Sequence, residues 1–446
     1  MSGIARVMAE RGDSVRGSDL RQSRYTEALT LLGVDICIGH EATNVGDAGV
    51  IVVSSAIRPE NPELAEARKR GIEIWPRAKM LAALAGDRTT IAVAGTHGKT
   101  STSAMVATML AAMELDPTFV VGGEVSAFAT NARNGSGAHY VVEADESDGS
   151  FMYMDPGVAI VTNVEADHLD HYGSLDAVER TFVEFMCRVP QDGHLVLCGD
   201  DERLLELARD CPARTVTYGF ATDVDVRCRI TGGVGLGHRF EVVLPDGTVH
   251  ESSIRVPGRH MVQNATAAIA TAWALGLDIA AASAALAEFD GVKRRFDMIG
   301  EACGISVVDD YAHHPTEVKA TLAAARECDY SRVWVVFQPH RYSRTEALAR
   351  EFGAAFADAD RVVLMDVYSA GEAPIPGVSG KTVLDELLEQ APRARAAYLP
   401  HRTDVAPYLA GRLRPGDLVL TMGAGDVTTM GIELLRAVAP EVDGAA

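Results

Sequence analysis

Short apolar runs alternate with helix-length stretches along nearly the whole chain, and the alternation changes character twice. From residue 12 to about 86 the pattern passes through Asp13 to Gly17, Tyr25 to Leu32, Val50 to Ser54, Pro62 to Arg70 and Ile72 to Trp75. Strands and helices interleaved in this way predict a parallel, helix-flanked sheet. Ahead of them, Met1 to Gly12 reads as a crossover helix stopped by glycine. A second unit opens with the buried strand Thr89 to Ala94, which runs through Gly95-Thr96-His97-Gly98-Lys99-Thr100-Ser101 into an Ala/Met-rich helix ending near Met113. Further buried strands are predicted at His139 to Val142 and Val158 to Val164. Between about 194 and 255 the pattern shortens to Leu195 to Leu197, Val216 to Tyr218 and Phe240 to Leu244 with glycine turns, which predicts an antiparallel extension. A helix over 260–275 and its successor close this unit. A third alternation has strands at Ser306 to Asp309, Val333 to Phe337, Val362 to Val367 and Leu418 to Thr421, and the Ala-rich segment after 439 is expected to fray.

Composition narrows the class. The 446 residues suit about three domains. Hydrophobic residues at 47% and charged residues at 23% are ordinary globular usage, and the longest apolar stretches fall short of the 18 or more residues of a membrane span. Lys+Arg 41 against Asp+Glu 62 leaves a net charge of −21, which disfavours a nucleic-acid or anionic-membrane surface. An anionic ligand therefore needs a local site. Seven scattered cysteines (Cys37, Cys187, Cys198, Cys211, Cys228, Cys303, Cys328) without a C-x-x-C pair read as reduced thiols. With no export pattern at the start, the expected location is the cytoplasm.

Strand, glycine loop and helix at 89–113 form the setting in which backbone N–H groups and a helix N-terminus wrap phosphates, with Lys99 neutralising charge and Thr100 available to Mg²⁺. The spacing departs from a Walker loop, because Val93 stands where its first glycine belongs. Glu143-Ala144-Asp145-Glu146-Ser147-Asp148 places four carboxylates within six residues, either as a solvated acidic turn or around a shared cation. The next strand ends in Asn163-Val164-Glu165-Ala166-Asp167-His168, again at a carboxyl edge, where open α/β sheets place ligands. Asp19, after Gly17-Ser18, reads more readily as a helix cap in a polar turn than as a ribose contact.

Seven segments in order resemble the Mur ligases: Ala94 to Thr100, Glu143 to Asp148, Asn163 to His168, Pro257 to His260, Arg294-Arg295-Phe296, Asp309 to Glu317, and Gln338 to Arg344. The resemblance covers essentially the whole chain and is nearest to the branch that joins L-alanine to the lactyl carboxylate of UDP-N-acetylmuramate through an acyl phosphate. It implies three α/β domains: a Rossmann-like UDP-sugar domain over 1–86, a mixed-sheet ATP-binding domain over 87–296 and a Rossmann-like domain over 297–446. These are expected to close around their ligands. Position by position it implies ATP contacts at Gly95, Thr96, His97, Gly98, Lys99, Thr100, Ser101, His260, Asn264 and Asp310. Thr100, Glu143 and His168 would hold Mg²⁺, although a histidine suits softer metals and could instead orient the others. UDP-sugar contacts fall on Ser18, Asp19, Ser54 and Ser55. Lys99, Arg295, His313, Arg341 and Arg344 would serve the reaction, with Tyr311 and His340 on the amino-acid side. Arg295 is also readable as a linker salt bridge. The spacing of Arg341 and Arg344 gives one helical face, which suits a solvated stripe as well as a carboxylate clamp.

The sequence departs from the family's pattern in places. Met261 replaces an asparagine expected near adenine, leaving Asn264. The absence of lysine between Gly173 and Arg188 points to the alanine-adding or tripeptide-recycling branches. The family's first strand and glycine loop, which normally precede the Met1 to Gly12 helix, are missing, so the first domain is expected to be incomplete. A tripeptide-recycling ligase is the alternative within the family, and a non-catalytic UDP-sugar or nucleotide sensor is the alternative outside it. The expected state is a monomer or weak homodimer.

Overall fold

A computed structural model describes residues 1–147 and 149–439; Asp148 of the acidic run and the expected frayed tail lie outside these. By internal contacts the chain forms two compact units. One comprises 1–230, 240–253 and 263–289; the other comprises 231–239, 254–262 and 290 onward.

The alternating pattern is realised in the first unit, with a change in pairing. Helix Ser2–Arg11 ends on Gly12 in the left-handed region (φ 93°). Strands Arg16–Asp19 and Asp35–Ile38 pair in parallel, and Val50–Val53 pairs in parallel with Glu73–Pro76. The single sheet expected for residues 12–86 is therefore two separate two-stranded sheets. Strand Asp35–Ile38 escaped the pattern because only two of its four residues are strong apolar β-formers.

Ten strands build the large sheet, with Thr89–Ala94 between His139–Glu143 and Val158–Val161, all parallel. Helix Lys99–Ala112 is buried from Thr100 to Leu110. A helix covered on all sides carries small and apolar residues around its whole circumference, which explains why the Ala/Met-rich run shows no stripe. The expected antiparallel extension needs correction at its start. Strands His194–Cys198 and Arg214–Gly219 continue the parallel order from Val158–Val161, joined by helix Glu202–Ala208. A parallel pair needs such a crossover, whereas glycine turns suggested hairpins. The seven cysteines also need correction: Cys187, at the end of helix Leu175–Met186, and Cys211 lie with Cα atoms 4.7 Å apart and form a disulfide, and the other five are free. Their sequence separation of 24 gives no sign of this proximity.

In the second unit a hairpin, Asp297–Ala302 with Ile305–Asp310, leads into a parallel sheet of Ile305–Asp310, Asp417–Met422, Arg332–Phe337, Arg361–Leu364 and Ala396–Tyr398 in spatial order. Alternate residues face opposite cores. Val333, Val335 and Phe337 pack on one side, while Trp334 and Val336 pack on the other. Burial on both faces explains why these strands read as continuous apolar runs.

Candidate active site

The chain leaves the carboxyl end of Thr89–Ala94 through Gly95-Thr96-His97-Gly98 and enters helix Lys99–Ala112. Two positions demand glycine. Gly95 (φ 130°) would place a Cβ 2.1 Å from Thr162 Oγ1, and Gly98 (φ 83°) would place one 2.9 Å from Asn264 Oδ1. The end of the adjoining strand holds the loop. Asn163 Oδ1 accepts the His97 N–H at 2.9 Å, its Nδ2 donates to the His97 carbonyl at 3.1 Å, and the Thr96 N–H donates to the Asn163 carbonyl at 3.1 Å. Thr96 Oγ1 in turn accepts the Glu165 N–H at 2.8 Å. Both backbone and side chain of one strand end thus preorganise the loop.

Lys99 Nζ donates to the Gly95 and Thr96 carbonyls (2.6 and 3.1 Å) and to Glu146 Oε1 (2.7 Å). Glu146 is buried, and its Oε2 has no hydrogen-bond partner. Burial pushes the Glu146 carboxyl up to about 7 against the opposing pull of Lys99. Burial also works against the Lys99 ammonium, but Glu146, then Asp145 and Glu143, outweigh it and hold that group above its ordinary value. His168 sits in the left-handed region (φ 53°), with Nε2 3.8 Å from Glu146 Oε1 and 3.6 Å from Asp167 Oδ2. The Tyr172 hydroxyl donates to the Glu146 carbonyl. Glu143 ends its strand with Oε2 accepting the Gly122 N–H at 2.7 Å. Several carboxylates therefore share one lysine, and a buried carboxylate oxygen lacks a donor. Such an oxygen-rich, negative cluster fits a hard divalent cation such as Mg²⁺.

The second unit carries a different group of charges. Arg294 and Arg295 both lie over the Tyr311 ring, at 4.8 and 5.1 Å from its centroid. Arg294 Nε contacts the fully buried Asp309 Oδ2 at 3.1 Å, and its Nη2 donates to the Gly423 carbonyl at 2.6 Å. Arg295 faces Glu317 at 3.7 Å, and that glutamate accepts the His313 N–H at 2.9 Å. Asp310 uses both oxygens on the backbone: Oδ2 accepts the Phe296 N–H (2.7 Å) and Oδ1 the Ala312 N–H (2.8 Å). Burial raises Asp310 to about 6, with Arg295 opposing. The His313 ring lies 5.2 Å from Tyr311 and 5.9 Å from His340, which stacks on Tyr368. Burial, then Arg344 and Arg341, lower His340 to about 4. Burial and Arg295 likewise lower His260 to about 4. Both rings are neutral near pH 7.

Against this geometry the comparisons are decisive. The Mur ligase family catalytic domain matches residues 1–89, the Mur ligase middle domain 93–272 and the Mur ligase glutamate ligase domain 294–425. The UDP-N-acetylmuramate–L-alanine ligase of Anaeromyxobacter dehalogenans is 48% identical over 435 residues, 98% of this chain and 94% of that protein. That of Rubrobacter xylanophilus is 48% identical over 437 residues, covering 98% and 97%. This chain belongs to the Mur ligase family. Among solved structures, the UDP-N-acetylmuramate–alanine ligase of Thermotoga maritima superposes with TM-score 0.80 at 30% identity, covering 98% of this chain and 96% of that one. A murein peptide ligase of Psychrobacter arcticus shares the fold at TM-score 0.73 and 24% identity, covering 99% and 97%.

In this Mur ligase, Lys99 joins the expected loop to the acidic run, and the partner it selects is Glu146, which sequence reasoning did not single out. Four carboxylates in six residues give the signal; which of them turns inward is settled by the backbone after Ala144. Thr100 and Ser101 are buried in the first turn of the helix. Asn264, also buried, packs on Gly98, while His260, four residues earlier on helix Arg259–Ala274, belongs to the second unit. Arg341 departs from the expected shared helical face: it precedes helix Tyr342–Ala347 with φ 68°, so only Arg344 is helical. Its N–H donates to the Tyr368 carbonyl at 2.8 Å, and its Nη1 lies 3.9 Å from Glu372, whereas Arg344 Nη1 lies 3.4 Å from His340 Nδ1. Asp310, expected to touch nucleotide, accepts the Phe296 and Ala312 amides and so ties together the segments that carry Arg295 and Tyr311. In the first domain Ser18 and Asp19 end one strand, and Ser54 and Ser55 follow another. The Ser18 hydroxyl donates to Glu63 at 2.8 Å and lies 3.1 Å from His40 Nδ1. Among the described residues no hydrogen bond joins the two pairs.

Proposed function

We propose that this Mur ligase uses ATP to activate the lactyl carboxylate of UDP-N-acetylmuramate and joins it to the amine of L-alanine, releasing ADP and phosphate. The observation that carries this reading is the Lys99 phosphate loop locked by Asn163 and backed by buried Glu146, in a chain 48% identical over its length to ligases of that name.

The chemistry follows from what these residues can do. A carboxylate oxygen attacks the γ-phosphorus, ADP leaves, and the resulting acyl phosphate is attacked by the amine; a proton and then phosphate depart to leave the amide. Two anions must meet, so positioning and charge neutralisation dominate. The loop N–H groups and the N-terminus of helix Lys99–Ala112 face phosphate charge, and Lys99 exchanges Glu146 for a transferred phosphoryl oxygen. Thr100, Glu143 and His168, with Glu146 beside them, would hold Mg²⁺, which when bound supplies further neutralisation of phosphate charge. Arg295, Arg341 and Arg344 provide cations for the acyl phosphate, and His313, beside Tyr311, with the neutral imidazole of His340 next to it, lies on the amine side. Ser18, Asp19, Ser54 and Ser55 are assigned to the UDP-sugar, on strand ends where such folds bind ligands. Among the described residues no helix is long and apolar enough to cross a membrane.

The test compares ADP release and product mass with UDP-N-acetylmuramate and either L-alanine or the L-alanyl-γ-D-glutamyl-diaminopimelate tripeptide. Turnover with L-alanine is expected; turnover with the tripeptide alone would assign the chain to the recycling branch. Lys99→Ala should remove ADP release while UDP-sugar binding persists, and an unchanged rate would sink the phosphate-loop assignment.

A further inference from the structure

At the amino edge of the C-terminal parallel sheet lies a cavity of about 430 Å³ that none of the steps above uses. Its wall forms where parallel strands begin. Arg332 opens Arg332–Phe337, Arg361 opens Arg361–Leu364, and Arg395 immediately precedes Ala396–Tyr398. Arg412 and Arg414 come from the segment after helix Arg402–Ala410. Five guanidiniums thus line one cavity in a chain of net charge −21. Strands rise roughly 3.3 Å per residue, so this edge is about 16 Å along Arg332–Phe337 from the edge that leads to His340.

The positive charge here exceeds what the protein neutralises. Arg332 is paired with Asp417 (2.8 and 2.5 Å), and the neighbouring Asp360 is engaged by Arg326 at 3.0 Å. The guanidiniums of Arg361, Arg395, Arg412 and Arg414 have no carboxylate within 4.0 Å among the described residues, although the Arg414 backbone N–H donates to Asp417 at 2.9 Å. Arg361 donates to the Asp360 carbonyl and lies 5.8 Å from the Trp334 ring centroid; Arg412 donates to the Tyr408 carbonyl and lies 3.9 Å over that ring. Burial, followed by repulsion from Arg395 and Arg332, pulls Arg361 below its ordinary value. Trp334 also lines this cavity, is 3% exposed, and its buried Nε1–H has no acceptor. Buried indole N–H groups ordinarily find a partner.

We propose that this cavity binds a phosphate-bearing anion, with Arg361, Arg395 and Arg414 supplying charge. Guanidinium forks match phosphate oxygens in pairs, which ammonium groups do not. The aromatic faces of Trp334 and Tyr408, each already stacked by an arginine, leave open whether the phosphate belongs to a free polyphosphate or to a nucleotide.

Calorimetric titration with pyrophosphate separates this site from the phosphate loop. Lys99→Ala should retain one saturable pyrophosphate site, and combining it with R361Q and R395Q should weaken that site at least tenfold. ADP titrated into the same pair of variants distinguishes the sources: tighter binding than pyrophosphate that is lost with the two arginines assigns a nucleotide, and equal binding assigns the phosphates alone. R361Q/R395Q in the otherwise intact enzyme should keep its ADP-release rate, which shows that the protein is folded. Should that variant misfold, Arg414→Gln is expected to weaken the same site at least threefold. No saturable binding to Lys99→Ala, or binding indifferent to these arginines, would overturn the proposal.

Discussion

Asp310→Asn isolates the energetic role of the carboxylate that the structure turns into the backbone. Asp310 is buried, accepts two backbone N–H groups, and has a pKa raised from 3.8 to about 6 by burial, against the pull of Arg295. A raised carboxyl favours the folded protein fully below the unfolded value, and that contribution is lost as pH climbs through about 6. The whole shift, about 2 pK units, corresponds to about 3 kcal/mol, of which about 2 kcal/mol falls between pH 4.5 and 7.5. Asparagine does not titrate, but it turns an NH₂ toward one of the two amides and loses a hydrogen bond, costing about 1–3 kcal/mol at every pH. The variant should therefore be the less stable protein at pH 4.5, and the gap should narrow by about 2 kcal/mol by pH 7.5. Trp75, Trp273 and Trp334 are the three tryptophans. Urea melts read at Trp334 in a Trp75→Phe, Trp273→Phe background follow the unit that holds Asp310. A gap that stays constant across this range would refute the assignment of Asp310 as a buried, backbone-held carboxylate.

Three further outcomes are expected. Gly98→Ala forces a left-handed residue to carry a Cβ 2.9 Å from Asn264 Oδ1, so the KM for ATP should rise about tenfold with little change in Tm; an unchanged KM would show that the loop accommodates the methyl. Arg294→Ala leaves Asp309 in the core with only the Thr421 and Thr428 hydroxyls as side-chain donors, and should destabilise the second unit by about 3–5 kcal/mol; melting at Trp334 showing less than about 1 kcal/mol would contradict the buried pair. His340, lowered to about 4, is neutral throughout the working range, so His340→Asn should leave the midpoints of the kcat/KM–pH profile above pH 5.5 where they are, and a shifted midpoint would refute its neutrality.

Much of the fold was legible because burial on both faces turns parallel strands into uninterrupted apolar runs. Thr89–Ala94 coincides with its expected bounds, and the strands near 306, 333 and 418 differ only at their ends. Pairing direction was less legible. Glycine turns before Phe240 suggested hairpins throughout 194–255, while the parallel pair His194–Cys198 and Arg214–Gly219 depends on the crossover Glu202–Ala208, whose two turns or so give little period to read. Within the candidate site, residue types were readable and orientations were not. Glu143 and Glu146 are equivalent in the sequence, yet one receives a Gly122 amide and the other meets Lys99 in the core. Arg341 and Arg344 have helical spacing, but the left-handed backbone at Arg341 places the helix start between them.

Three cations proposed above to meet phosphate charge already face a protein carboxylate, each within its own unit. Lys99 faces Glu146 at 2.7 Å in the first unit, and in the second Arg295 faces Glu317 at 3.7 Å and Arg341 faces Glu372 at 3.9 Å. A cation left unpaired in such surroundings is costly, so these carboxylates stabilise the site before any phosphate arrives. The two arginine pairs are long enough to yield to an incoming oxyanion without a large loss. The Lys99 pair is short and buried, and a phosphoryl group that takes the lysine leaves Glu146, which already has one unsatisfied oxygen, in need of another partner. Glu146 can meet that need by taking a proton, for which burial has brought it to about 7, or by joining Glu143 and His168 around a divalent cation. If the proposed phosphate and cation sites are both used, their occupation is expected to be coupled through Glu146.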